Sequence, residues 1–137
     1  MKYISFIEKG LRETVKSILA SVSKEGLEGN SHFYITFCTK FPNVQLSREV
    51  REKYPERITI VIQHDFYDLA VFDTYFQVKL SFSGKYELVK VPFESIYRFE
   101  DPSESFGLEF TVPSSNLLLE NEYDNVISIE SLRNKKD

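Results

Sequence analysis

The 137 residues, 42% of them hydrophobic, suffice for one compact core and fall short of two separate ones. Seventeen Lys and Arg against 21 Asp and Glu leave a formal charge of -4, which counts against a dedicated nucleic-acid binder because phosphate contacts require a basic face. The single cysteine, Cys38, excludes an intramolecular disulfide and a cysteine-rich zinc site and fits a reducing compartment.

Glu8 and Lys9 interrupt what would have to be the apolar stretch of a signal peptide, and no apolar run approaches the roughly 18 residues of a membrane span. A soluble, cytoplasmic protein without membrane contact is expected. Twelve Phe and eight Tyr, with no Trp, favour half-buried pleated surfaces and so β structure.

In chain order, Ile4, Ile7, Leu11, Val15, Ile18 and Val22 recur at steps of three and four, which lines them along one face of a helix from about Lys2 to Ser23. Tyr3, Phe6 and Leu19 widen the stripe beyond what one domain core requires, while Lys9, Arg12, Glu13 and Lys16 form a polar side. Gly26 and Gly29 offer stops.

After Asn30 the period becomes two, and Phe33, Ile35 and Phe37 share one face of a first strand. Pro42-Asn43 breaks it, Ser47 can cap a short helix through Lys53, and Tyr54-Pro55 turns the chain. Ile58 to Gln63 is apolar on both faces, which predicts a central strand. Thr74 to Phe82 alternates, with Phe76, Val78, Leu80 and Phe82 on one face, and Ser83-Gly84 predicts a tight hairpin to a partner strand over about Lys85 to Val91. Pro92 ends that strand; Ile96 to Phe99 and Phe106 to Val112 complete six strands around a loop at Asp101 to Ser105. One helix ahead of such strands predicts a mainly β fold, a small antiparallel β barrel or sandwich.

Beyond Pro113 the segment with Glu120, Glu122 and Asp124 has no basic residue and reads as a flexible acidic linker, 113–125. It leads to an apolar and basic terminus, 126–137, with the texture of a short recognition peptide. At about 13 residues, such a linker has a root-mean-square reach of roughly 20 Å.

Catalysis finds few residues. His32 begins a strand, and His64 in Gln63-His64-Asp65 ends one, but neither has the partners that would mark a general base. A metal site from His64, Asp65 and Asp68 lacks a second imidazole at a suitable offset, and no Gly-rich phosphate loop exists. No catalytic residue, metal or cofactor is assigned, and the protein is read as a non-enzyme.

With these elements placed, Tyr54-Pro-Glu-Arg-Ile-Thr-Ile-Val-Ile-Gln-His-Asp-Phe-Tyr-Asp-Leu69 can be taken as a unit. It resembles the stringent starvation protein B family of protease adaptors, in particular its alphaproteobacterial branch. His32 to Phe37, Leu80 to Gly84, Val91-Pro-Phe93 and Arg98 to Ser103 carry the similarity across most of residues 1–112. Val126-Ile-Ser-Ile-Glu-Ser-Leu-Arg-Asn-Lys-Lys136 looks like the peptide by which such adaptors dock on the ClpX unfoldase.

The resemblance implies an Sm-like barrel over residues 1–112, a homodimer joined through the N-terminal helix, and delivery of ssrA-tagged polypeptides to the ClpXP protease. It implies tag contacts at Gln63 and His64 and groove walls at Val78, Lys79, Leu80, Phe106, Gly107 and Leu108. It places Ile7, Leu11, Val15 and Ile18 at the dimer seam. Unfoldase docking falls to Val126, Ile127, Ser128, Ile129, Leu132, Arg133, Lys135 and Lys136. The alternative from the fold class alone is an RNA-binding Sm-like module, which the acidic balance disfavours.

Overall fold

The computed structural model describes residues 3–112. The linker 113–125 and the docking block 126–137 therefore lie outside the described residues. No helix among the described residues is long and apolar enough to cross a membrane.

Helix α1 (Tyr3–Glu25) follows the expected period and ends where Gly26, at φ 82°, takes a left-handed conformation and donates its N–H to the Val22 carbonyl at 2.8 Å. Its apolar stripe has two fates. Val15 and Leu19 are fully buried and Leu11, Ile18 and Val22 pack partly against the core, whereas Tyr3, Phe6 and Ile7 stand 55% or more exposed.

The polar side of α1 is not all solvated. Arg12, expected to face water, is largely buried, and its guanidinium donates to the carbonyls of Phe93 (3.0 Å), Ile96 (3.1 Å) and Thr111 (3.0 Å). It also stacks 4.6 Å from the centroid of Phe110. Glu8, one turn earlier, accepts from the Thr111 amide at 3.0 Å. Burial pushes the Glu8 carboxyl above its ordinary value despite these donors, and burial also lowers Arg12.

Strand β1 (Phe33–Cys38) buries Phe33, Ile35 and Phe37, as alternation predicts. The turn after it has Pro42 followed by Asn43 at φ 72°, a left-handed position that asparagine tolerates. Helix α2 (Arg48–Lys53) is capped by Ser47, whose hydroxyl accepts from the Val50 amide. Strand β2 (Arg57–Ile62) returns antiparallel to β1.

Next come β3 (Phe66–Val71), β4 (Tyr75–Phe82) and β5 (Lys85–Pro92), then a short 3-10 turn at Phe93–Ser95, then β6 (Ile96–Asp101) and β7 (Phe106–Glu109). The β4–β5 hairpin turns on Ser83 (φ 53°) and Gly84 (φ 84°), the two positive values of a type I′ turn. The strands form two antiparallel sheets, in the orders β2-β1-β6-β7 and β3-β4-β5.

Three expectations change here. β2 is an edge strand, not a central one: its burial alternates strictly, and Val61 is 42% exposed although apolar. β3 escapes the alternation test because a bulge between Tyr67 and Ala70, with Asp68 at φ 55°, shifts its register against β4. The two sheets share one core, with Phe76, Val78, Val89 and Val91 opposite Ile35, Phe37, Ile96 and Phe99, but no ladder joins them among the described residues. The fold is thus an N-terminal helix with two packed antiparallel sheets, and its hydrogen bonding stops short of the barrel closure expected above.

Candidate functional site

Among the described residues β2 leaves one row of backbone groups without a strand partner, and a cleft of about 380 Å³ opens beside it. One wall is Thr59, Ile60 and Val61 with the following Gln63, His64 and Asp65; the other is Leu80, Ser81 and Phe82 from the end of β4. The cleft therefore lies between the edge of one sheet and the hairpin end of the other.

Local sequence explains this placement. Ile58, Ile60 and Ile62 point into the core, which turns Thr59 and Val61 outward. Thr59 is held by a 2.7 Å hydroxyl contact with Thr36 on β1. The turn at Gln63 to Asp65 then carries the chain from one sheet to the other. Asp65 accepts a hydrogen bond from the Tyr86 hydroxyl, and this bond holds Tyr86 above the ordinary phenol range. Tyr86 in turn meets Tyr67 edge-on at 5.3 Å, so the loop is braced by two aromatic rings.

Among the described residues no lysine or arginine lines the cleft, and Asp65 is its one carboxylate. Apolar floor, amide and imidazole donors, and an open strand edge together suit an extended peptide, which can add main-chain hydrogen bonds and set side chains alternately into the cleft.

Of the residues assigned from the sequence, the structure brings Gln63, His64 and Leu80 into this one cleft. Val78 is fully buried between the sheets, and Lys79 faces away and pairs with Asp68 at 3.3 Å. Phe106, Gly107 and Leu108 lie on β7, three strand spacings from β2 along the sheet, or about 14 Å. They are not brought to Gln63; Phe106 lines a different cleft, at the C-terminal end of α1. Thr59, Val61, Ser81 and Phe82 were not assigned from sequence, and the signal for them was an apolar Val61 at an outward position of a strand.

On α1, Ile7 is exposed, Leu11 and Ile18 are half-buried, and Val15 is enclosed in its own protomer's core. Val15 is thus a core residue and has no surface to offer a second copy. The four seam residues do not form one accessible patch; the exposed one is Ile7, with Tyr3, Ile4 and Phe6 beside it.

His32 accounts for itself structurally, with Nδ1 donating to the Asn30 carbonyl at 2.8 Å and the ring set edge-on to Tyr34. Among the described residues no group of three or more His, Cys, Asp or Glu is placed to hold a metal ion.

The family model of stringent starvation protein B matches residues 5–135, nearly the whole sequence. A search of curated proteins finds no match. With the helix and two antiparallel sheets in place and the match running from α1 past the last described strand, the chain belongs to the stringent starvation protein B family, whose members are non-catalytic protease adaptors.

Proposed function

We propose that this adaptor binds ssrA-tagged polypeptides in the cleft beside β2 and tethers them to the ClpX unfoldase of ClpXP through residues 126–137. The observation that carries the reading is the open β2 edge running directly into a cleft that holds Gln63, His64 and Leu80. Family membership supports the adaptor role, and the apolar, basic composition of 126–136 supports a docking peptide. The exposed end of α1 supports a homodimer seam at Tyr3, Ile4, Phe6 and Ile7. The Sm-like relation rests on the one core that the two sheets share. The cytoplasm is the compartment that the cysteine usage fits.

Fluorescence anisotropy of a labelled ssrA peptide tests the tag site. Saturable binding at one peptide per protomer is expected, weakened about tenfold or more by Gln63→Ala through loss of a buried polar contact. Absence of binding by the folded protein overturns the reading. Deleting 126–137 should abolish stimulated degradation and leave tag affinity unchanged; loss of both would refute the division of labour. Among the described residues no lysine or arginine lines the cleft, which weighs against the RNA-binding alternative; steep salt dependence of RNA affinity would restore it.

A further inference from the structure

A second cleft is larger than the one beside β2. About 530 Å³ opens where the last turn of α1 meets the loop before β1 and the start of β7, a volume suited to a few aliphatic side chains. Its accessible apolar surface comes from Ile18, Val22, Leu27 and Phe106, backed by the buried rings of Phe33 and Phe99. Phe106 is 39% exposed there, and Leu27 packs only partly against the core.

The rim carries one sign of charge. Glu25, Glu28 and Glu104 line the cleft, with the buried Asp101 behind them; among the described residues none of the three glutamates forms an ion pair and no lysine or arginine lines the cleft. An occupant should be apolar and then basic. Residues 126–136 of this same chain have that order: Val126, Ile127, Ile129 and Leu132, followed by Arg133, Lys135 and Lys136, with Glu130 as the one acid.

Reach agrees with chemistry. The described residues end at Val112, itself buried, next to Thr111, which is bonded to Glu8 and Arg12. Val22 lies ten residues farther along α1, about 15 Å at helical rise. A linker of about 13 residues with coil dimensions reaches roughly 20 Å, and a tether of that length sets an effective concentration of order millimolar at a site within its reach.

We infer that the cleft at the C-terminal end of α1 is a docking site for the chain's own residues 126–136. The apolar residues enter between Leu27 and Phe106, and the basic ones face Glu25, Glu28 and Glu104. This deepens the adaptor reading, since the segment assigned there to the unfoldase is shared with a site on its own domain, and free adaptor holds it until the unfoldase competes.

The test uses the full chain and no unfoldase, so its failure leaves the tag and tether experiments untouched. A nitroxide is attached at Asp137→Cys, Cys38 being buried, and amide signals are recorded with the label oxidised and reduced. Amides of Val22, Leu27 and Phe106 should lose about half or more of their signal at millimolar effective concentration. Signal should return with Glu25→Lys plus Glu28→Lys, whose exposed positions keep the fold, or with excess synthetic peptide 126–137. Three results overturn the inference: no loss at the cleft, loss confined to 113–125, or equal loss when labelled tail and observed domain are on different molecules, which would make a second copy the source.

Discussion

The two halves of α1 share a period and differ in everything that follows from it. In the C-terminal half Val15 and Leu19 are enclosed in the shared core; in the N-terminal half Tyr3, Ile4, Phe6 and Ile7 continue the same stripe into solvent. Hydrophobic spacing specifies a face of a helix and says nothing of who covers it. Between the halves, Arg12 and Glu8 tie the helix to the end of the described domain, marking the point where intramolecular packing stops.

The largest test of this contrast is truncation in each half. Leu19→Ala should cost about 3 kcal/mol in urea denaturation, whereas Ile7→Ala should stay within about 0.5 kcal/mol. Similar losses at both sites would break the comparison. A charge at Val15 belongs with Leu19: it should unfold the protomer, not merely separate a dimer.

Arg12→Ala comes next, at about 2 kcal/mol, because three backbone carbonyls lose a shared charged donor. Arg12→Lys should recover little of it, since one ammonium cannot reproduce the guanidinium fork. Full recovery would show that charge, not geometry, holds the helix.

A smaller effect is expected at Asp101, beside the C-terminal half. Burial raises its carboxyl, but donation from the Ser103 hydroxyl and amide, from Ser31 and from the His32 amide outweighs it and holds the group below its ordinary value. The sign follows: its contribution is fully present above the unfolded value near about 3.9 and is lost as pH falls through the folded one. Asp101→Asn should therefore flatten the acid limb of the stability curve, measured by denaturation between neutral and acid pH. An unchanged slope would remove Asp101 as its source.

The smallest change in stability and the sharpest in assembly should come from Phe6→Ser with Ile7→Ser. Denaturation of the protomer should be nearly unaffected while light scattering moves from two protomers to one. An unmoved mass would place any dimer contact elsewhere.

Much of this architecture was legible before the structure. The periods of α1, β1 and β4, the Ser47 cap and the Ser83-Gly84 hairpin were readable because each rests on neighbouring residues alone. β3 was not, since its bulge at Asp68 breaks the alternation that would reveal it. β2 was misplaced in its sheet because Val61 has the apolar side chain of a core residue and the position of an edge residue. Arg12 was misread for the converse reason: a guanidinium can be buried when carbonyls distant in sequence converge on it, which spacing cannot show. At the site, Gln63, His64 and Leu80 were found together, while Val78 and Phe106 to Leu108 separate from them because shared alternation does not reveal which edge of which sheet is open.

The anchoring of Thr111 also has a mechanical meaning. A load applied to the C-terminal segment enters the described domain at the buried Val112 and then Thr111, where the Arg12 and Glu8 side chains hand it to a helix of 23 residues before it can peel β7 from β6. The bonds from Thr111 to Arg12 and Glu8 must break before that peeling can begin, and forced unfolding is governed by the rate of such steps. On the proposed function, an adaptor tethered by its C-terminal segment would keep its own fold under that load.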